Sequence, residues 1–301
     1  MHSLKKVLQN VEMQKKALGH FNISNLEQLK AIAHVAIQYN APVIVGVSEG
    51  EREYLGMHHV RDLVDSYNKE HSSRIPSGEA GGKENAFWIF LNADHTHSLE
   101  HVQKAADAKC DAILCDFGKL SLEENIAQTK KAVKIIRAIN PHIFIEGELG
   151  YIGGSSELRK GIPQGAAIQE KDLTTPEDAI RFVQETDVDM LAPAVGNVHG
   201  MMTDAPEPRL DIQRIRAIKN AVKIPLVLHG ASGNTDQDIR TAIEAGVSIV
   251  HISTELRLAW REGIEESLKE NPDELAPYKL VPEALQKMEK LVAEKLKICG
   301  W

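Results

Sequence analysis

The sequence is short of cysteine, of long apolar runs and of clustered basic charge, and each shortage removes a class of protein. Its three cysteines, Cys110, Cys115 and Cys299, form no CxxC pair in 301 residues, which excludes a disulfide framework and a cysteine-ligated zinc site. The thiols are expected to be buried as small apolar side chains. No stretch approaches the roughly 18 consecutive apolar residues of a membrane span, and residues 1–21 hold no apolar core of signal-peptide length. The expectation is a cytoplasmic protein that does not engage a membrane. Lys and Arg total 35 against 43 Asp and Glu, a net charge of −8 without a long basic run, so the electrostatic footprint of a nucleic-acid binder is missing. A phosphorylated small molecule has to be held locally, by backbone N–H groups and a few side chains.

What is present is an ordinary folding composition, 43% hydrophobic and 26% charged, enough to bury a full core. The length admits two average domains, but α/β barrels use a chain of this size as one. Short runs rich in Val, Ile and Leu alternate with amphipathic helical stretches, the pattern of parallel strands covered by helices. Eight strands are expected, at 17–22, 42–47, 87–93, 112–117, 143–149, 190–195, 224–229 and 247–253. Helical patterns follow most of them, at 26–38, 99–108, 126–139, 176–184, 212–221 and 237–245. Thr175-Pro176 reads as an N-cap followed by a first-position proline. The turn after the first strand, HFNISN, lacks the glycines of a dinucleotide-binding turn. We therefore expect one domain over 1–301, a (β/α)8 barrel with an additional C-terminal helix at 282–297 that packs across the barrel or against a second subunit. Two long loops interrupt the rhythm. The one at 71–85 belongs at the bottom of the barrel as an insertion, and the one at 151–174 hangs over the top as an active-site lid.

In a barrel, polar residues at the C-terminal strand ends surround one pocket. Here those ends read Asn92-Ala93-Asp94-His95, Glu146-Gly147-Glu148, Gly196-Asn197-Val198-His199-Gly200 and His229-Gly230-Ala231-Ser232-Gly233. Imidazoles from three separate places, His95, His199 and His229, suit a catalytic Zn²⁺ or another divalent metal with one position left open. Asp94 lies beside the first and is placed to exchange a proton with substrate; the competing reading is an N-cap for the next helix. Gly230, Ser232, Ser253 and Thr254 follow the seventh and eighth strands, where loop N–H groups and a helix N-terminus bind phosphate, unless these residues form plain turns.

The ordered set DH, GELGYIGG, VGNVHG, IPLVLHGASG and ISTELR resembles the class II, metal-dependent fructose-bisphosphate and tagatose-bisphosphate aldolases, from His20-Phe21-Asn22 to the C-terminal helix. The resemblance implies Zn²⁺ on His95, His199 and His229, with Glu148 and Asp116 able to contact the metal in alternate placements. It implies that Asp94 moves the hydroxyl proton in carbon–carbon cleavage, and that the metal polarises the ketone and stabilises the charge left when the bond breaks. Gly200, Gly230, Ser232, Ser253 and Thr254 match the phosphate pocket, and Asn22, Ser48 and His251 complete the substrate contacts. The implied substrate is a ketose phosphate such as fructose 1,6-bisphosphate, cleaved to dihydroxyacetone phosphate and an aldehyde. The implied assembly is a homo-oligomer, a dimer or tetramer.

The departures fall on substrate-contact positions. After Gly153-Gly154 the family has a loop glutamate, whereas here Ser155-Ser156 intervene and Glu157 comes one place late; Glu157 is the candidate loop acid. Beyond His199-Gly200 the family's tyrosine and lysine are replaced by Met202 and Thr203-Asp204. The asparagine of the eighth strand is His251, and Gly46 stands where a glutamine is usual. Three alternatives stay open: a paralogue acting on another ketose phosphate or an unphosphorylated substrate, a Schiff-base aldolase using Lys119, and a metal-binding barrel without turnover.

Overall fold

The computed structural model describes residues 3–74, 87–154 and 156–301. Helix α1 (Leu4–Met13) leads into β1 (Leu18–Asn22), α2 (Leu26–Tyr39), β2 (Pro42–Val47), α3 (Glu49–Leu55), α4 (Met57–Arg74), β3 (Trp88–Thr96), α5 (Leu99–Asp107), β4 (Ala112–Cys115), α6 (Leu122–Ile139) and β5 (Phe144–Leu149). The second half runs α7 (Pro176–Thr186), β6 (Met190–Pro193), α8 (Ile212–Val222), β7 (Leu226–Leu228), α9 (Asp236–Ala245), β8 (Val247–Ile252), α10 (Thr254–Glu270), α11 (Pro277–Leu280) and α12 (Pro282–Ile298). The eight strands close in the order β1-β8-β7-β6-β5-β4-β3-β2, all parallel. This is the (β/α)8 barrel that the alternation predicts.

Local chemistry sets the helix boundaries. Asn25 accepts from Gln28 N–H at the start of α2, Ser121 and Glu124 form a reciprocal capping box on α6, and Thr175 caps α7 with Pro176 in its first turn. Ser98 caps α5 by accepting from His101 N–H, which leaves Asp94 free of the capping role. Several strand ends differ from the sequence expectation: β4 stops at Cys115 and β6 at Pro193, while β3 runs on to Thr96. The periodic pattern locates a strand, whereas its last pair depends on a neighbour's register. Helix α4 extends to Arg74, past the expected start of the bottom loop at residue 71, and residues 75–85 of that loop lie outside the described residues.

Two apolar layers hold the barrel. The larger lies between strands and outer helices, and the smaller fills the floor, where Leu18, Ile44, Phe90, Met190, Val227 and Ile249 meet Leu4, Leu8 and Val11 of α1. Each of those three α1 side chains is buried and contributes about 1.5–3 kcal/mol, so α1 acts as the plug of the barrel floor. Helix α12 packs against α10 and α2 of its own barrel. A Cβ on Gly263 would sit 2.3 Å from Ala284 Cα, so only glycine lets α10 and α12 approach this closely. All three cysteines are buried, and burial pushes the Cys110 and Cys299 thiols up to about 12, as expected for inert core thiols. No helix of the described residues is long and apolar enough to cross a membrane.

The strand period of two then changes the chemistry with height. Above the apolar floor, Leu18 is followed on the same face by His20 and Asn22, Phe90 by Asn92 and Asp94, Phe144 by Glu146 and Glu148, and Ile249 by His251. The upper interior is therefore polar and nearly closed to water: His20, Asn92, Glu146 and His229 are all at most 1% exposed.

Candidate metal centre and active site

One ligand atom each from His95, Glu148, His199 and His229 falls within 4.8 Å of all the others. The three imidazoles stand nearly perpendicular, with centroids 4.8, 5.0 and 5.6 Å apart and interplanar angles of 72°, 68° and 79°. Two of the rings have a reason to offer a particular nitrogen. His95 Nδ1 is 2.8 Å from Asp116 Oδ2, leaving Nε2 for the centre, and His229 Nε2 is 2.8 Å from Glu146 Oε1, leaving Nδ1. His229 Nδ1, His199 Nε2 and Glu148 Oε2 are buried without a hydrogen-bond partner. An unpartnered buried polar atom costs about 1–3 kcal/mol, so three facing one point suit a divalent cation, and the mixed N/O donor set suits zinc. Carboxylates behind ligand histidines fix tautomer and ring orientation in such centres.

The electrostatics fit a site that expects positive charge. Burial, reinforced by Asp116, pushes the Glu148 carboxyl well above the usual range. Burial pulls the His95 imidazole down, but Asp94, its bonded partner Asp116 and Glu148 outweigh it and hold it up at about 10. Burial with the neighbouring His95 and His229 keeps His199 well below its ordinary value.

Asp94 and His95 are adjacent, and in a regular strand they would face opposite sides. The pairing of β3 with β4 shifts between Ala93 and Thr96, and His95 takes the left-handed φ of +43°. This bulge turns both side chains into the mouth, at a backbone cost of order 1–3 kcal/mol. Arg52 of α3 straps it, donating to Val47 O, Asp94 O and Thr96 Oγ1. Asp94 Oδ2 accepts from Asn22 Nδ2 at 2.8 Å, and its Oδ1 has no partner. Burial alone would raise this carboxyl; His95, His20 and His229 overcome it and keep Asp94 ionised. An oriented carboxylate with one free oxygen is a proton acceptor.

A cavity of about 540 Å³ opens over the centre. It shares Asn22, Asp94, His95, Ser156 and His199 with a narrow recess that Gly200, Gly230, Ser232, His251, Ser253 and Thr254 also line. Helix α10 begins at this recess. Ser253 precedes it without a side-chain cap, and its Oγ is buried and unpartnered. The helix start thus faces a small polar space, where Ser232 Oγ accepts from Ser253 N–H at 3.3 Å and from Glu255 N–H at 3.5 Å, a setting that suits an anion.

The chain matches the family Fructose-bisphosphate aldolase class-II over residues 2–301. It belongs to that family. Among solved structures it is similar to the YdjI aldolase of Escherichia coli K12, with 27% identity, 99% of this chain and 97% of that chain covered, and a TM-score of 0.77. It also shares the fold of the fructose-bisphosphate aldolase of Campylobacter jejuni, at 20% identity, with 98% and 93% covered and a TM-score of 0.75. The family comprises carbon–carbon lyases on this barrel, and the group of His95, Glu148, His199 and His229 gives the present member a place for the metal typical of class II aldolases.

Asp116 stands behind His95 as its hydrogen-bond partner. Ser48 donates to Glu51 from N–H and Oγ, at 2.8 and 2.9 Å, and faces the cavity. Glu157 is exposed on the rim, and its carbonyl accepts from Met201 N–H in a two-strand ladder joining residues 158–159 to 201–202. Lys119 is exposed on the same rim, over the Tyr151 ring, far from the desolvated setting a Schiff-base lysine needs. His251 stacks on His20, with centroids 3.5 Å apart and planes 3° from parallel, and its Nδ1 is 3.7 Å from Asp94 Oδ1.

Sequence reasoning gave several residues around this site no role. Glu146, read there only as part of a strand end, was recoverable, since it lies two residues before Glu148 and shares its face of β5. His20 is paired in register with His251 and explains Gly46: a Cβ there would lie 2.1 Å from His20 Cε1. Arg159 carried no signal in the pattern. It is buried, donates from Nε to His199 O and pairs with Glu207 at 2.6 Å, tying the loop after β5 to the loop that carries His199. Arg257 pairs with buried Glu51 at 2.6 Å and donates to Ser156 O, holding that loop from the other side.

Proposed function

We propose that this protein cleaves a ketose phosphate by a zinc-dependent retro-aldol reaction, releasing dihydroxyacetone phosphate and an aldehyde. The observation that carries the reading is the convergence of His95, His199, His229 and Glu148 beside an ionised, half-satisfied Asp94. The three histidines and Glu148 would hold the ion, with Asp116 and Glu146 fixing two of the rings. A divalent ion there supplies Lewis-acid polarisation of the substrate's ketone oxygen.

The chain's own residues supply the rest. Ser253, Ser232 and the first N–H groups of α10 bind the C1 phosphate, fixing the ketose along the recess. Asp94, held by Asn22, takes the proton of the C4 hydroxyl as the C3–C4 bond breaks. The C4 carbon leaves as the aldehyde carbonyl, and the electron pair stays with the ketone half. Glu157, reaching in from the rim, returns a proton to C3. The same reading takes a cytoplasmic homo-oligomer, a dimer or tetramer, acting on small sugar phosphates.

The deciding experiment measures zinc content and retro-aldol cleavage of a panel of ketose 1-phosphates and 1,6-bisphosphates, with and without EDTA. About one zinc per chain with chelator-sensitive cleavage is expected. Asp94→Asn should keep the metal and lose at least a hundredfold in kcat. Substrate trapped on the protein by borohydride would replace this reading with Schiff-base chemistry, and metal binding without turnover would leave a binding protein.

A further inference from the structure

We infer that the substrate carries a single phosphate, at C1, and that its far end is an uncharged polyhydroxyl chain; this rests on the aldolase reading and names its substrate class. The two ends of the site are built for different chemistry. At the inner end, the start of α10, where Glu255 N–H has only a long 3.5 Å bond to Ser232 Oγ, and the unpartnered Ser253 Oγ offer donors to an anion. The acid nearest that helix start, Glu255, is neutralised by Lys295 at 2.6 Å.

The outer cavity offers acceptors instead. Among the described residues lining it, the only cationic side chains apart from histidine are Arg257 and Lys119. Arg257 is committed, with Nη2 on Glu51 at 2.6 Å and Nη1 on Ser156 O at 3.1 Å. That leaves Lys119, whose ammonium lies 5.0 Å from the Tyr151 ring centroid. Against this one cation stand Glu49, Asp94, Asp116 and Glu157. Glu49 accepts from His97 N–H and lies 2.8 Å from His101 Nδ1, and Asp116 is held on His95, while Glu157 makes no ion pair among the described residues.

A second phosphate would bring about two negative charges into a basin that is already acidic and only partly screened by solvent. Sugar hydroxyls fit the same surface well, since each donates one hydrogen bond and the carboxylates of Glu49 and Glu157 and the Ser48 hydroxyl accept. Specificity of this kind works by opposing the wrong ligand as much as by binding the right one.

The test runs the reaction toward synthesis with the zinc-loaded full chain. Exchange of the dihydroxyacetone phosphate C–H into D2O, followed by proton NMR without any aldehyde, checks the aldolase reading by itself. D-Glyceraldehyde and D-glyceraldehyde 3-phosphate then compete as acceptors, and kcat/KM should favour the neutral aldehyde by roughly tenfold or more. The preference should narrow as ionic strength rises from about 0.02 to about 0.5 M, because added salt screens the repulsion. Exchange with equal or better use of the phosphorylated aldehyde overturns the single-phosphate inference and leaves the aldolase intact. A preference that does not respond to salt removes its electrostatic basis and overturns it as well. Absence of both exchange and condensation overturns the aldolase reading and the inference with it.

Discussion

Replacing Glu146 with glutamine should weaken zinc binding about tenfold without unfolding the barrel. Glu146 and His229 are both fully buried, 2.8 Å apart through Oε1 and Nε2. A hydrogen bond to a charged group is worth about 1.5–3 kcal/mol and a neutral one about 0.5–1.5. Glutamine keeps the acceptor and the volume but loses the charge, so the loss is about 1–1.5 kcal/mol, or close to tenfold in affinity. Alanine, which leaves His229 Nε2 unpaired, should cost about 10- to 100-fold. Asp116→Asn acts on His95 through a bond of the same length, with a smaller effect because Asp116 reaches the cavity. The assay is competition against a chromogenic zinc chelator at fixed pH, with urea unfolding as the control for folding. Affinities within twofold of the parent for both Glu146 variants, in folded protein, would refute the claim that Glu146 orients a metal ligand.

Zinc uptake should release at least one proton at pH 8: His95 is held up at about 10 in the metal-free protein and must be neutral as a ligand, so affinity rises with pH up to that value. Calorimetry in buffers of different ionisation enthalpy reads this directly, and identical heats in all buffers would count against it. Stripping the metal with EDTA should lower the unfolding temperature by several degrees, since zinc at a hundred times its Kd stabilises by about 2.7 kcal/mol; scanning calorimetry checks it. Gly46→Ala should cost about 3 kcal/mol in urea unfolding, because its Cβ would fall 2.1 Å from His20 Cε1. In a His20→Ala background the same change should cost at least 1 kcal/mol less, and additive effects would contradict the steric account.

The sequence by itself determined the barrel and most of what it carries. Eight β/α alternations dictate closure, and the strand period places Asp94, Glu148 and His251 at one mouth because each sits a whole number of pairs above an apolar floor residue. Thr175-Pro176 marked its helix start for an equally local reason. Tertiary structure decided which atoms meet. The inward turn of His95 depends on a bulge that Arg52 straps from another element, and the tautomers of His95 and His229 depend on Asp116 at the end of the adjacent β4 and on Glu146 of β5, which reaches His229 past β6. The His20–His251 stack, the space that Gly46 leaves for it, and the ion pairs of Arg159 and Arg257 join residues roughly 30 to 230 positions apart. A periodic pattern encodes which face a side chain takes. Closure of the barrel decides its neighbours on that face, because the register between strands is fixed only when all eight are packed together.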